Sequence, residues 1–150
     1  VLDLGAVAKG LAVDMAAREL QRFRNYMIDA GGDAYVAGRN AAGKPWNVGI
    51  PDPRHAGQLL EIIPLTDAAV CTSGDYERGK HIIDARSGKP VTGVASVTVI
   101  APNAMLADGL ATAAFVLGPV DGIALLERTD VKGLIVTPEL ERFTTRGFLN

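Results

Sequence analysis

Two rhythms of apolar and polar positions run along this chain of 150 residues. From residue 6 the pattern is helical. Leu11, Met15 and Leu20 can share a face with Ala8, Ala12 and Ala16, while Arg18, Glu19, Gln21 and Arg22 fall on the solvent side. The spacing predicts a helix over residues 6–24. Short apolar runs follow, separated by turn residues. "NYMIDA", "AYVAG", "WNVGI", "LLEIIPL" and "AAVCTSG" read as five strands, and Pro64 marks the fourth as an edge strand or a bulge. "KHIID" reads as a sixth strand, with "ARSGKP" a tight turn from it into "VASVTVIA". These spacings describe a largely antiparallel sheet. The helical rhythm returns in "PNAMLADGLATAAFVLG", opened by Pro102 and Asn103 and closed by Gly118, and again in "PVDGIALLER". "KGLIVT" is a late strand, and the tail "PELERFTTRGF" can close the sheet. A helix, a meander of strands and two further helices predict an α+β fold, with a largely antiparallel sheet packed with helices.

Composition narrows the class. Hydrophobic residues make up 48% of the chain, enough for one domain with a core and too many for a disordered segment. The net charge is −2 and the isoelectric point about 5.6, so the basic excess of a nucleic-acid surface is missing. Lys and Arg are scattered, with no polybasic run for a membrane surface. The single Cys71 cannot form an internal disulfide. The chain begins at Val1 and not at Met, and we expect residues to precede it in the gene product. Glycine is in excess, 17 residues, with clusters at Gly31-Gly32 and around residues 74–93. Clustered glycine marks either ordinary turns or close approach of the backbone to a ligand.

Four stretches can carry chemistry. In "MLADGLAT", Asp108 and Thr112 are four apart and share one side of an otherwise apolar helix. A carboxylate and a hydroxyl so placed can ligate a hard cation such as Mg²⁺. By spacing alone they equally fit an aspartate paired to a nearby base and a threonine bonded to its own backbone. "DLGAVAKG" sets Asp3 and Lys9 around a helix start, where free N–H groups and a lysine suit an anion. A capped helix with a solvated lysine has the same pattern. "IDAGGDAYVAG" puts Gly31, Gly32 and Asp33 after an apolar strand. It is not a dinucleotide fingerprint, because no βαβ unit follows. The glycines suit either a flat ligand or a bulge. Lastly, "AVCTSGDYERGKHIIDARSGKP" ends one strand with Thr72 and Ser73 and carries His81 into the next. If a hairpin joins them, His81 comes near the hydroxyls and can act as a general base. No nucleophile elbow or acid–histidine–serine set is present, so a hydrolase triad is not predicted.

The order of these blocks is more specific than any one of them. "DLGAVAKGLAVD", "IDAGGD", "WNVGIPDP", "VCTSGDYER…KHIIDARSGKP" and "SVTVIAPNAMLADGLATAAFVLG" together resemble the ApbE family of FAD:protein FMN transferases, from Asp3 to about Gly118. The resemblance implies an enzyme that binds FAD with Mg²⁺ and transfers FMN to a threonine or serine hydroxyl of an acceptor protein, releasing AMP. Some members instead hydrolyse FAD to FMN and AMP, and a non-catalytic flavin-binding module is a third possibility. Acceptors in the family are subunits of membrane redox complexes. Members are typically exported, which implies the bacterial periplasm or the outer face of the inner membrane. Carried over residue by residue, Asp3 and Lys9 match positions that contact FAD, and Ala6 one that offers its carbonyl to the metal. Asp108 and Thr112 match metal ligands. His81 matches the proposed base beside the flavin nucleotide, with Ile82 next to it. Gly31, Gly32, Asp33, Thr72 and Ser73 are expected to line the same pocket.

The sequence departs from the family pattern at two positions. Ala85 stands where a proline usually follows the aspartate of "HIID", and is expected only to loosen the turn. Ala111 stands where many members carry a second aspartate, which leaves one acidic side chain for the metal. Family chains usually carry a further stretch before "DLGA" that holds flavin and adenine contacts. Residues 1–150 are therefore expected to form the C-terminal portion of an ApbE-like domain.

Overall fold

A computed structural model describes residues 4–76 and 81–148. Helix α1 (Ala8–Glu19) is shorter than the pattern predicts. It also turns a different face inward. Gly10, Val13 and Ala17 are buried, while Leu11 and Met15 are exposed. The reason is the close approach of a second helix, α2 (Ala104–Leu117). A Cβ on Gly10 would lie 2.7 Å from the Ala104 carbonyl carbon and 2.8 Å from the Met105 Cα, so only the smallest residue fits at the crossing. At the far end of α1 the Tyr26 hydroxyl donates to the Ala17 carbonyl at 3.0 Å, satisfying one of the acceptors that a helix terminus leaves open.

The strands are β1 (Tyr26–Asp29), β2 (Asp33–Ala37), β3 (Trp46–Pro51), β4 (Leu59–Leu65), β5 (Ala68–Gly74), β6 (Ile83–Asp84), β7 (Lys89–Pro90), β8 (Ser96–Ala101), β9 (Lys132–Val136) and β10 (Arg142–Thr144). Six form one sheet in the order β1-β2-β5-β8-β9-β10, with every neighbouring pair antiparallel. The tail does close it, as β10. Alternation along β5 and β8 directs Ala69, Cys71, Val97, Val99 and Ala101 to one face and Val70 and Ile100 to the other. The first face is covered by α1, α2 and α3 (Pro119–Arg128), and the second by the β3–β4 hairpin through Val48, Ile50, Ile63 and Leu65. The result is an α+β fold of three layers. The hairpin is a two-stranded sheet of its own, which is why Pro64 is tolerated in it.

The predicted sixth strand is different in the structure. Only Ile83 and Asp84 are extended, and they pair with Lys89 and Pro90 in a separate two-stranded unit. The tight turn therefore leads into β7 and not into "VASVTVIA", whose strand β8 lies beside β5. Asp84 holds that turn. Its carbonyl accepts from Ser87 and Gly88, and its carboxylate from the backbone and side chain of Arg86. The turn does not depend on a proline at residue 85.

Asn103 caps α2 as expected, its side chain accepting from the Leu106 N–H at 2.9 Å. A second cap comes from 90 residues away. The Asp14 carboxylate accepts from the Ala104 N–H at 2.7 Å and the Met105 N–H at 2.9 Å. It thus satisfies two donors of the positive helix end and bolts α2 to α1. Asp14→Ala should lower stability by about 1–2 kcal/mol. The check is urea denaturation, in which an unchanged midpoint would show that water replaces the cap without cost.

Candidate active site

An open cleft of about 890 Å³ lies between the start of α1, the end of β5, residues 81–85 and one side of α2. Ala6 reaches it from the turn before α1, Lys9 from α1, Ser73 from β5, and Asp108 and Thr112 from α2, while His81 and Ile82 line it from the segment before β6. The sequence separates these groups by up to 106 positions, and the sheet brings them together. β5 does not pair with the His81 segment, contrary to the hairpin expectation, yet both end at the same cleft.

Alternation on β5 sorts its two hydroxyls. Ser73 points toward the helices and lies 3.2 Å from the Thr112 Oγ1. The Thr72 side chain points the other way and pairs with the Thr98 hydroxyl at 2.9 Å across β8. Thr72 is at the cleft, but its hydroxyl serves the sheet. Asp3 lies outside the described residues. Gly31, Gly32 and Asp33 do not line the cleft. They sit behind Lys9, whose Nζ donates to the Gly31 carbonyl at 2.9 Å and lies 3.4 Å from Asp33 Oδ2. The expectation that the "GGD" segment lines the pocket is corrected to that extent. The turn's carbonyls face Lys9 and β5, because Gly31 and Gly32 take left-handed backbone angles (φ 67° and 89°).

Gly10 was missed by the sequence reading, although a glycine inside a helix costs about 1 kcal/mol relative to alanine and so flags a packing need. Its N–H donates to Asp108 Oδ2 at 2.9 Å, in the buried crossing of α1 and α2. In a regular helix that N–H would go to the carbonyl of Ala6, four residues back. Diverted to Asp108, it leaves the Ala6 carbonyl without a hydrogen bond among the described residues. One donor thus orients a carboxylate and frees a backbone oxygen at the same cleft.

The Asp108 side chain is almost fully buried. Burial raises its pKa above the ordinary carboxylate range, and the Gly10 N–H and the Lys9 charge pull it back. Asp33 is pushed up to about 6, first by burial and then by the charge of Asp108, with Lys9 opposing. Two acids and one lysine thus share a small volume, and a further positive charge would relieve them. No group of three His, Cys, Asp or Glu side chains stands ready for a metal among the described residues. Asp108, Thr112 and Ala6 line the same cleft, and their oxygens are the ones there that could hold a hard cation. Ala111, where a second acid was considered, is fully buried in the helix-side core and does not reach the cleft. Helix α1 starts without a side-chain cap and without an acid in its first turn. The Val7 and Ala8 N–H groups donate to the Leu4 carbonyl and that of Gly10 to Asp108, so the positive charge this helix start offers to an anion comes from Lys9 and the helix dipole.

These features define a class: a three-layer α+β fold with a polar, partly charged cleft between its helices and the end of its central sheet. Comparison with known proteins narrows it. A model of the ApbE family matches residues 1–135. The FAD:protein FMN transferase of Haemophilus influenzae is 35% identical over 159 aligned positions, which cover 97% of this chain and 46% of that protein. Among solved structures, the flavin transferase ApbE from Vibrio cholerae matches with a TM-score of 0.87 at 36% identity, over 99% of this chain and 52% of that one. The ApbE protein from Thermotoga maritima matches with a TM-score of 0.90 at 35% identity, with the same coverage. The chain belongs to the ApbE family. It spans about half the length of the relatives it matches.

Proposed function

We propose that this chain carries the metal and phosphate half of an enzyme that transfers FMN from FAD to a threonine or serine hydroxyl of an acceptor protein, with release of AMP. The observation that carries the reading is the convergence of Asp108, Thr112, Ala6 and Lys9 on one cleft. The names of the relatives, FAD:protein FMN transferase, support it. Mg²⁺ is the cation that the donor set suits, and when bound it would neutralise charge building on the FAD diphosphate. Lys9 and the start of α1 add positive charge to the same oxygens. His81, which lines the same cleft, is the base that takes the proton from the acceptor hydroxyl. The hydroxyl oxygen bonds to the phosphorus on the FMN side, the bond from that phosphorus to the bridging oxygen breaks, and AMP leaves with that oxygen. Positioning and electrostatics supply most of the catalysis in such transfers. The acceptor is proposed to be a subunit of a membrane redox complex, met in the periplasm or on the outer face of the inner membrane.

The test is AMP release from FAD by the full-length protein, with Mg²⁺ and a threonine-bearing acceptor domain. The expected result is AMP that EDTA abolishes, together with flavin fluorescence that stays on the acceptor through denaturing electrophoresis. AMP without labelled acceptor would replace transfer by hydrolysis. FAD binding without AMP would make the protein a flavin-holding member of the family.

A further inference from the structure

Asp33 is the first residue of β2 and only 1% exposed. A carboxylate so deep is costly unless a cation or hydrogen bonds compensate it. Its Oδ2 accepts no hydrogen bond among the described residues, and the cation beside it is Lys9 at 3.4 Å. The sheet does not require a charge there, since β2 pairs with β1 and β5 through its backbone. Its neighbours are as firmly set. The Gly31 N–H donates to Asp29 Oδ1 at 3.0 Å, and the Thr72 N–H donates to the Gly32 carbonyl at 3.0 Å. The turn is thereby pinned between β1 and β5, one residue from Ser73 in the cleft.

Lys9 reaches this turn from α1. Its ammonium has three N–H donors. The Gly31 carbonyl takes one at 2.9 Å, and the Asp33 carboxylate attracts another. The side chain is one-third exposed and Lys9 lines the cleft, which leaves a third donor for a ligand. A free lysine would sweep its charge through many rotamers, whereas this one is held at two points.

We propose that Asp33 and the Gly31 carbonyl form a cradle that aims the Lys9 ammonium at the diphosphate of the bound substrate. Asp33 is then a positioning residue that acts through Lys9 and does not touch the ligand. The inference rests on the flavin-transfer reading above and gives the "GGD" segment a task within it.

The experiment is a double-mutant cycle in the full-length protein, with Asp33→Asn, Lys9→Met and both together. Asp33→Asn keeps the shape and removes the charge. Two readouts are taken: kcat and KM for FAD cleavage, and the affinity for inorganic pyrophosphate by calorimetry, which needs no turnover. Misaimed Lys9 should lower kcat by about tenfold or more, with a smaller change in KM, because charge builds in the transition state. Pyrophosphate binding should weaken in both single variants. In the Lys9→Met background, Asp33→Asn should add little to either loss. Equal losses with and without Lys9 would reduce Asp33 to a structural residue and overturn the cradle. So would pyrophosphate affinity that Asp33→Asn leaves unchanged. If Asp33→Asn does not fold, Asp33→Glu takes its place in the same cycle: a loss of pyrophosphate affinity that vanishes in the Lys9→Met background supports the cradle, and an equal loss in both backgrounds, or none, overturns it. Failure of the flavin-transfer reading shows separately, as wild-type protein that releases no AMP.

Discussion

Asp108→Ala is expected to abolish the proposed cation-dependent AMP release and to leave the fold intact. Asp108 is the acidic side chain in the hard-oxygen set of Asp108, Thr112 and the Ala6 carbonyl. The neutral oxygens that remain cannot hold Mg²⁺ against water, because the carboxylate supplies the charge. Losing several kcal/mol of charge stabilisation slows turnover by about a thousandfold or more. The fold should survive, because the hydrogen bond lost in the buried crossing of α1 and α2 is a single one and the two helices stay joined by the Asp14 cap on Ala104 and Met105. Removing that single bond costs about 1–3 kcal/mol. Asp108→Asn separates the two roles, since it keeps an oxygen for Gly10 and loses the charge. Calorimetry with Mg²⁺, thermal melting and an AMP assay measure the three quantities. Normal turnover in Asp108→Ala would remove the cation from this helix.

Gly10→Ala lowers both stability and cation affinity. Helix propensity alone predicts the opposite sign, a gain of about 1 kcal/mol from replacing a helical glycine by alanine. The packing decides otherwise. The added Cβ meets the backbone of α2 at Ala104 and Met105 within 2.8 Å, and backbone cannot rotate away as a long side chain can. Overpacking of this kind costs about 1–3 kcal/mol, and a rigid backbone partner puts it at the upper end. At about 2–4 °C per kcal/mol for a chain of this size, the melting temperature should fall by about 5 °C. If α2 is pushed outward, the Gly10 N–H also loses Asp108. The donor can then return to the Ala6 carbonyl, and two oxygens leave the cation set together. A raised melting temperature with unchanged Mg²⁺ affinity would show that propensity wins and that the crossing is looser than it looks.

These two residues mark how far the sequence could be read. Asp108 and Thr112 were legible because a helix places residues four apart on one side, whatever surrounds it. Gly10 was not, because its role depends on a helix that begins 94 positions later. Asp33 was expected at the pocket through the family resemblance of the "GGD" segment. The structure moves it one layer back, since two left-handed glycines turn the chain toward Lys9. His81 was expected on a strand, beside β5 if a hairpin joined the two. It reaches the cleft instead from an irregular segment before the short β6–β7 hairpin.

Local physics determined what the sequence determined by itself. Period-two and helical rhythms set the kinds of element and most of their order. Asn103 and Gly118 set the bounds of α2, and the order of motif blocks set the family. The tertiary structure alone decided which strands are neighbours, which face of α1 is buried, and which oxygens stay free. Those outcomes depend on contacts between residues far apart in the chain, such as Asp14 with Ala104 and Gly10 with Asp108, and no local pattern encodes the distance between them.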